Sequence, residues 1–242
     1  MKILALESSA VACSACVTED EFLIAQSYEN SGLTHSVTLL PMTEEMLKNC
    51  GLTLKDIDVI AVAAGPGSFT GLRIGVSAAK GLGWALDKPC AKVSTLEAMA
   101  WGLVPVGGEL CPVMDARRSQ VYNARFHSDG IDITRLTPDR AIGLEELEEE
   151  LKKEEKEQIL VGDGALMCYN RFAAIGLKVR LPAPNLRFQT AWGVARCGLE
   201  MARQGNLVTA AQLVPEYHRL SQAERERLER QQEQNEKVTE GE

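Results

Sequence analysis

Apolar residues come in short blocks through the first thirty positions, and residues 2–7, 11–18 and 22–28 read as three consecutive strands. Small or charged residues at Ser8-Ser9 and Glu19-Asp20-Glu21 supply the turns between them, so the opening is a meander. From 34 or 36 to about 48, Val37, Leu40, Met46 and Leu47 fall at roughly helical spacing, with Pro41 expected to kink or restart the helix and Gly51 to end it. The apolar run 58–64 is a buried strand. A glycine-rich stretch, 65–75, then leads into a helix reaching about 86. A short strand at 91–93 precedes Ser94-Thr-Leu-Glu97, a capping-box pattern that opens a helix running to 102.

After Pro105 and the glycines at 107 and 108 the pattern restarts, with strands expected at 110–115, 120–126 and 131–134. Ile3-Leu-Ala-Leu-Glu7, a small polar turn and an apolar return strand parallel Cys111-Pro-Val-Met-Asp115, a polar turn and a second return strand. Each copy is an apolar strand ending in a carboxylate followed by a hairpin, so the chain reads as α/β with one supersecondary unit used twice. The second half continues with a Glu/Lys-rich amphipathic helix at 144–157, a buried strand at 158–162, and a tight turn around Asp163 into a helix or loop. A helix at 189–204 carries Trp192, Ala195, Leu199 and Ala202 on one face. The expected organisation is therefore a unit at 1–104, a second at 105–220, and a charged tail at 221–242.

Composition narrows the function. The chain has 242 residues, a net charge of −8 and twelve aromatic side chains, too acidic and too poor in stacking faces to grip nucleic acid by itself. The acidity is local: residues 141–157 hold eight Glu against three Lys, and residues 219–242 hold seven Glu against five Lys or Arg. The first apolar run is too short for a signal peptide or a membrane span, so the expected location is cytoplasmic. Seven cysteines set mostly inside apolar runs read as buried thiols. Cys13 and Cys16 form a C-x-x-C, but strand alternation sends them to opposite faces.

Candidate chemistry concentrates at two places. Gly65-Pro-Gly-Ser-Phe-Thr-Gly-Leu-Arg-Ile-Gly75 joins a strand to a helix, where backbone N–H groups can hold an anion. Leu72 and Arg73 stand where a Walker loop needs Lys and Ser or Thr, and Gly65, Gly67 and Gly71 are one residue too widely spaced for a dinucleotide fingerprint. Gly71, Gly75, Ala79 and Gly83 instead recur every four residues, a small-residue stripe that lets a neighbour pack closely. That neighbour is either internal or a helix of another subunit. Glu7, beside Ser8 and Ser9, and Asp115 are the candidate acids, suited either to a metal-bound water near a nucleotide phosphate or to turn capping. Three histidines, His35, His127 and His218, form no zinc-type pair, and no G-x-S-x-G elbow is present.

These residues together resemble a known family. Ile3-Leu-Ala-Leu-Glu-Ser-Ser9, His35-Ser-Val-Thr-Leu-Leu-Pro41, the Gly65 to Gly75 block, Val93-Ser-Thr-Leu-Glu97, Met114-Asp-Ala-Arg-Arg118, Pro215-Glu-Tyr-His-Arg219 and Gln222-Ala-Glu-Arg225 are similar to the TsaB (YeaZ) family across about residues 1–225. The resemblance implies an actin-like ATPase superfamily fold of two RNase H-like subdomains. It implies a non-catalytic subunit that binds and activates TsaD in forming threonylcarbamoyladenosine in tRNAs that read codons beginning with A. TsaE, an ATPase, joins that complex, tRNA is met only through it, and the isolated subunit can pair with a second copy of itself. No membrane is involved. The resemblance puts the subunit surface on the helices after His35 and Gly67, at His35, Leu39, Gly71, Leu72, Gly75, Ala79 and Gly83. It leaves Glu7, Ser8, Ser9 and Asp115 as a vestigial nucleotide site with no resident metal, any ATP or ADP with magnesium lying at the complex interface. Glu7 stands where the family more often has Asp, and its longer side chain displaces a metal-linked water. A second reading keeps Glu7 and Asp115 with a divalent ion as the site of an independent actin-like-fold ATPase or phosphotransferase.

Overall fold

The computed structural model describes residues 1–219, so the expected tail at 221–242 lies outside the described residues. The first sheet contains β1 (Lys2–Glu7), β2 (Cys13–Glu19), β3 (Phe22–Glu29), β4 (Val59–Gly65) and β5 (Cys90–Ser94), in the order β3-β2-β1-β4-β5. β4 and β5 run parallel to β1, whereas β2 is antiparallel to both β1 and β3. β1 is apolar at every interior position because both its faces are covered, as a central strand with helices on both sides requires. Leu4 and Leu6 meet α1 (His35–Asn49) and α2 (Phe69–Leu86) on one face. Ile3 and Ala5 meet α3 (Thr95–Gly102) and α6 (Ala191–Arg203) on the other.

The second sheet repeats this order. β6 (Gly108–Asp115) takes the place of β1, β7 (Gln120–Asn123) and β8 (Phe126–Ser128) both pair antiparallel with it, and β11 (Gln158–Val161) and β12 (Val179–Arg180) follow in parallel. The outer position is shared by β9 (Ile133–Arg135) on β8 and β10 (Arg140–Gly143) on β7. The antiparallel strand expected at 120–126 is thus cut in two between Asn123 and Phe126, and each piece recruits its own edge partner. Two copies of the 3-2-1-4-5 order make this the duplicated RNase H-like architecture of the actin-like ATPase superfamily.

Several elements differ from their sequence signals for identifiable reasons. α1 passes through Pro41 without interruption, since the carbonyl that the ring leaves unbonded belongs to Val37 on the exposed side. α4 (Leu144–Leu151) stops six residues short of the expected 157, because Leu144, Leu147 and Leu151 anchor it and the charged run that follows offers no apolar residue to continue the face. The capping box at α3 is half formed: Ser94 Oγ accepts from Glu97 N at 3.2 Å, but the Glu97 carboxylate pairs with Arg135 at 2.5 Å instead of reaching back. α5 (Ala165–Ala174) fills the helix-or-loop segment.

α6 changes the domain picture. Although it follows the second sheet in sequence, it packs on the first, where Ala61 and Ala91 leave room for Gly198. A Cβ on Gly198 would stand 2.8 Å from Ala61 Cβ, so the helix lies nearly on the backbone of β4. Val208 then bridges to Cys90 of β5, which keeps the chain on the first lobe past the boundary expected at 104. Cys13 and Cys16 do fall on opposite faces, one with Leu4 and the other with Ala5, and burial pushes the Cys13 thiol up to about 11. No helix among the described residues is long and apolar enough to cross a membrane.

Candidate functional site

The carboxyl ends of β1 and β6 point into the crevice between the two lobes, the place where parallel sheets ordinarily hold ligands. The cleft is about 390 Å³. Ala10, Gly67 and Phe69 line it from the first lobe, and Asp115, Tyr122 and Asp163 from the second. Of the four residues expected to form a nucleotide site, only Asp115 faces it. Glu7, Ser8 and Ser9 are at most 1% exposed and lie beside the cleft rather than in it. Ser8 Oγ donates to the Gly71 carbonyl at 2.9 Å, and Glu7 Oε1 accepts from Ser9 N at 2.6 Å. Ser8 is thus used in packing α2 against the end of β1, and Glu7 is held by Ser9 beside the cleft that Asp115 lines. Two carboxylate residues of the second lobe, Asp115 and Asp163, do line the cleft. Among the described residues no three His, Cys, Asp or Glu side chains gather where they could hold a metal ion.

The glycine-rich loop is likewise occupied by the chain itself. Ser68 N, which a phosphate would need, donates to Ser9 O at 2.7 Å, while Ser68 Oγ caps α2 by accepting from Gly71 N at 3.3 Å. Gly65 adopts φ +143°, and a side chain there would run into the Glu216 carbonyl. A cis peptide bond joins Gly65 to Pro66.

Residues 216–219, part of the Pro215 to Arg219 motif, close the cleft from the C-terminal side, a placement that the motif by itself does not give. Glu216 N donates to Ala64 O at 2.7 Å and its carboxylate pairs with Lys92 at 2.6 Å. Tyr217 stacks on Phe69 with ring centroids 4.5 Å apart, and Arg73 covers the Phe69 ring while its Nε donates to Tyr217 Oη at 3.1 Å. Arg219 then donates to the carbonyls of Ala116 and Arg117 in the second lobe. This strap ties α2 to the loop after β6. Across the cleft Asp163 accepts from Asp115 N at 3.3 Å, and burial, with the Asp115 charge nearby, raises its carboxyl above the ordinary range.

Glu7 makes a measurable consequence. Burial raises its carboxyl to about 7 from an ordinary 4.5, against the hydrogen bonds from Ser9 and Ser8, and its Oε2 has no partner among the described residues. The folded chain therefore binds this proton more tightly than the unfolded one, so the contribution to stability is full below about 4.5 and is lost as pH rises through about 7. At about 1.4 kcal/mol per unit the loss is about 3 kcal/mol. Glu7→Gln is expected to melt several degrees above the unsubstituted chain at pH 8.5 and to coincide with it near pH 5. Melting curves of the two proteins across that range check it; parallel curves would refute the buried neutral acid.

The expected subunit surface is redistributed by the structure. Gly71, Leu72, Gly75, Ala79 and Gly83 all face inward, so they are corrected to interior packing positions. A Cβ on Gly71 or Gly75 would strike Ser8, and one on Gly83 would come 2.7 Å from Cys90 Sγ. The close neighbour of the stripe is the chain's own β1, β4 and β5. Leu39 is also buried, and His35 is half-buried with its Nε2 2.6 Å from the Ala10 carbonyl; both border a groove between α1 and α2. The outer wall of that groove is Leu40, Ile74, Ser77 and Ala78, with Val37 and Gly81 beyond it. Sequence spacing contained this second face too, since Ser77, Gly81 and Ala85 also recur every four residues and all three are exposed.

A duplicated RNase H-like fold whose interlobe cleft is strapped by residues 216–219 defines a protein of the actin-like ATPase superfamily fold. Residues 29–191 match the family model described as TsaD: tRNA N6-adenosine threonylcarbamoyltransferase. The chain is 34% identical over 162 residues to the tRNA threonylcarbamoyladenosine biosynthesis protein TsaB of Bacillus subtilis, covering 67% of this chain and 71% of that one. It is 32% identical over 166 residues to the protein of the same name from Buchnera aphidicola, covering 67% and 78%. The structure of YeaZ from Pseudomonas aeruginosa superposes with a TM-score of 0.78 at 25% identity, covering 89% of this chain and 99% of that one. The chain belongs to the TsaB (YeaZ) family.

Proposed function

We propose that the chain acts in the formation of threonylcarbamoyladenosine in tRNA as a non-catalytic subunit that binds TsaD and activates it. One observation carries the reading: the exposed face of α1 and α2 is apolar and small. Val37 is 68% and Leu40 48% exposed, and Ser77, Gly81 and Ala85 form a stripe on which another helix can lie closely. The partner helix is that of TsaD in the complex, and a second copy of this chain occupies the same surface when the subunit is alone. TsaE joins the complex, and ATP or ADP with magnesium is handled at its interfaces. Support for the absence of turnover comes from the cleft, where Glu7 is withdrawn and the strap from Glu216 to Arg219 occupies one wall. Contact with tRNA passes to the partner, in keeping with a net charge of −8. Depletion of this protein followed by mass analysis of tRNA nucleosides is expected to show loss of threonylcarbamoyladenosine. Unchanged levels would overturn the assignment.

A further inference from the structure

The two lobes meet on both sides of the cleft, and the two junctions are of different kinds. Behind the cleft the junction is core. Leu96, Met99 and Leu103 of α3, in the first lobe, share one hydrophobic cluster with Leu110, Phe126 and Ile159 of the second, and each is at most 2% exposed. Ion pairs close the same junction: Arg135 reaches Glu97 of α3 and Asp139 at 2.5 Å each, and Asp139 accepts from Ser94 Oγ at 2.5 Å. At the mouth the junction is the strap. Its seat is on the first lobe, where Gly65 leaves room for the Glu216 carbonyl and Glu216 N is bonded to Ala64 O. Its side chains there stay partly open to solvent, Tyr217 at 43% and the Glu216 carboxylate that pairs with Lys92 at 49%. Arg219 carries the strap across to the second lobe, on the carbonyls of Ala116 and Arg117. Exposed ion pairs contribute little each, whereas a dry core does not part without losing its burial.

We propose that residues 216–219 are a releasable latch that fixes the opening of the interlobe cleft, with the α3 junction as its pivot. Glu216 and Tyr217 hold the latch on the first lobe, and Arg219 is the part that engages the second. All four latch residues line the cleft, so its volume of about 390 Å³ is the volume with the latch engaged. The loop that Arg219 grips is itself held in a costly shape: Arg117, Arg118 and Ser119 have φ of 63°, 55° and 57°, three consecutive non-glycine residues in the left-handed region. Such a run persists only where its surroundings hold it, and the latch is part of that hold through the carbonyls of Ala116 and Arg117. When Arg219 lets go, the turn is free to relax and the loop after β6 loses this tie to α2. The second lobe then turns about α3 with the core behind the cleft intact, and the walls that carry Phe69 and Asp115 move apart.

Spin labels on the full chain at Thr70→Cys and Leu166→Cys, in the first turns of α2 and α5 at facing walls of the cleft, read the opening; Cys50, the cysteine that is not buried, is replaced by Ser. One narrow distance distribution is expected. Arg219→Ala and, separately, Tyr217→Ala are each expected to lengthen and broaden it, with a melting temperature within about 2 °C of the unsubstituted chain. Arg135→Ala is expected to act the other way, lowering the melting temperature by about 3 °C or more while the distance stays narrow, since Glu97 and Asp139 lose their shared partner and the core still holds. Amide exchange at Ala116 and Gln120, followed without labels, is expected to quicken about tenfold or more in Arg219→Ala and carries the test if the labelled chain does not fold. A distribution already broad in the unsubstituted chain, or a distance and an exchange rate that Arg219→Ala leaves unchanged, would overturn the latch.

Discussion

Gly75→Leu is expected to destabilise the fold itself, not merely to release a partner. The glycine stripe on α2 lies on Ser8 and Val62, and a Cβ at Gly75 would already collide with Ser8 Oγ and touch Val62 Cγ2 at 3.4 Å. Ser8 cannot turn away freely, because its hydroxyl is bonded to the Gly71 carbonyl at 2.9 Å inside the same contact. Four side-chain carbons at that position must push α2 off β1 and β4, where overpacking costs about 1–3 kcal/mol even when neighbours can yield. Backbone and a committed hydroxyl yield less than side-chain ends, so the cost is expected at or above about 3 kcal/mol. In a domain of about this size that is a melting temperature lower by about 6 °C or more. Urea melts of Gly75→Leu beside the unsubstituted chain check it. A variant as stable as its parent would show that the stripe has slack, and would return it to the subunit surface.

The complementary expectation concerns the outer stripe. Nothing lies within 4 Å of a Cβ built on Gly81, and the residue is exposed. Gly81→Leu is therefore expected to fold as well as its parent, or better by up to about 1 kcal/mol, since leucine is a far stronger helix former than glycine. Its effect falls on docking. A partner helix that approaches over Ser77, Gly81 and Ala85 would meet a branched side chain in place of a hydrogen atom, and a clash at the centre of an interface costs several kcal/mol of binding, on the order of a hundredfold or more in affinity. Size-exclusion chromatography with TsaD is expected to show two separate peaks. Cells relying on Gly81→Leu are expected to lose threonylcarbamoyladenosine from tRNA. An intact complex with the purified variant would remove the α2 face from the interface. The two glycines are six residues apart on one helix, yet one variant is expected to lose stability and the other the partner.

Much of the secondary structure was legible because the pattern that specifies it is local. β1 carries four buried apolar residues in succession and β4 seven buried positions, so no alternative to a doubly covered strand fits them. Ser94 as a cap was likewise readable, since capping involves residues three apart. The duplicated arrangement was visible in Glu7 and Asp115 each closing an apolar strand. Short strands were the least legible: β10 and β12 have four and two residues, fewer than a periodicity needs to declare itself. The break between Asn123 and Phe126 was also invisible, being set by which edge strand each half finds.

By itself, the sequence determined the α/β class, the doubled unit, the strand ends where a site would lie, and the set of motifs that places the chain in its family. Tertiary structure decided which way those features face. A four-residue repeat of small side chains defines a helical stripe but carries no information on what lies opposite, and only the packing of α2 on Ser8, Val62 and Cys90 turned it inward. Likewise a carboxylate at the end of a strand is a ligand or a buried acid according to what covers it, and Glu7, bonded by Ser9 N, is completely buried. The strap at 216–219 and the return of α6 to the first sheet join residues more than a hundred positions apart. Such contacts follow from the shape that the two lobes present to the chain once both have folded, and no local pattern encodes that shape.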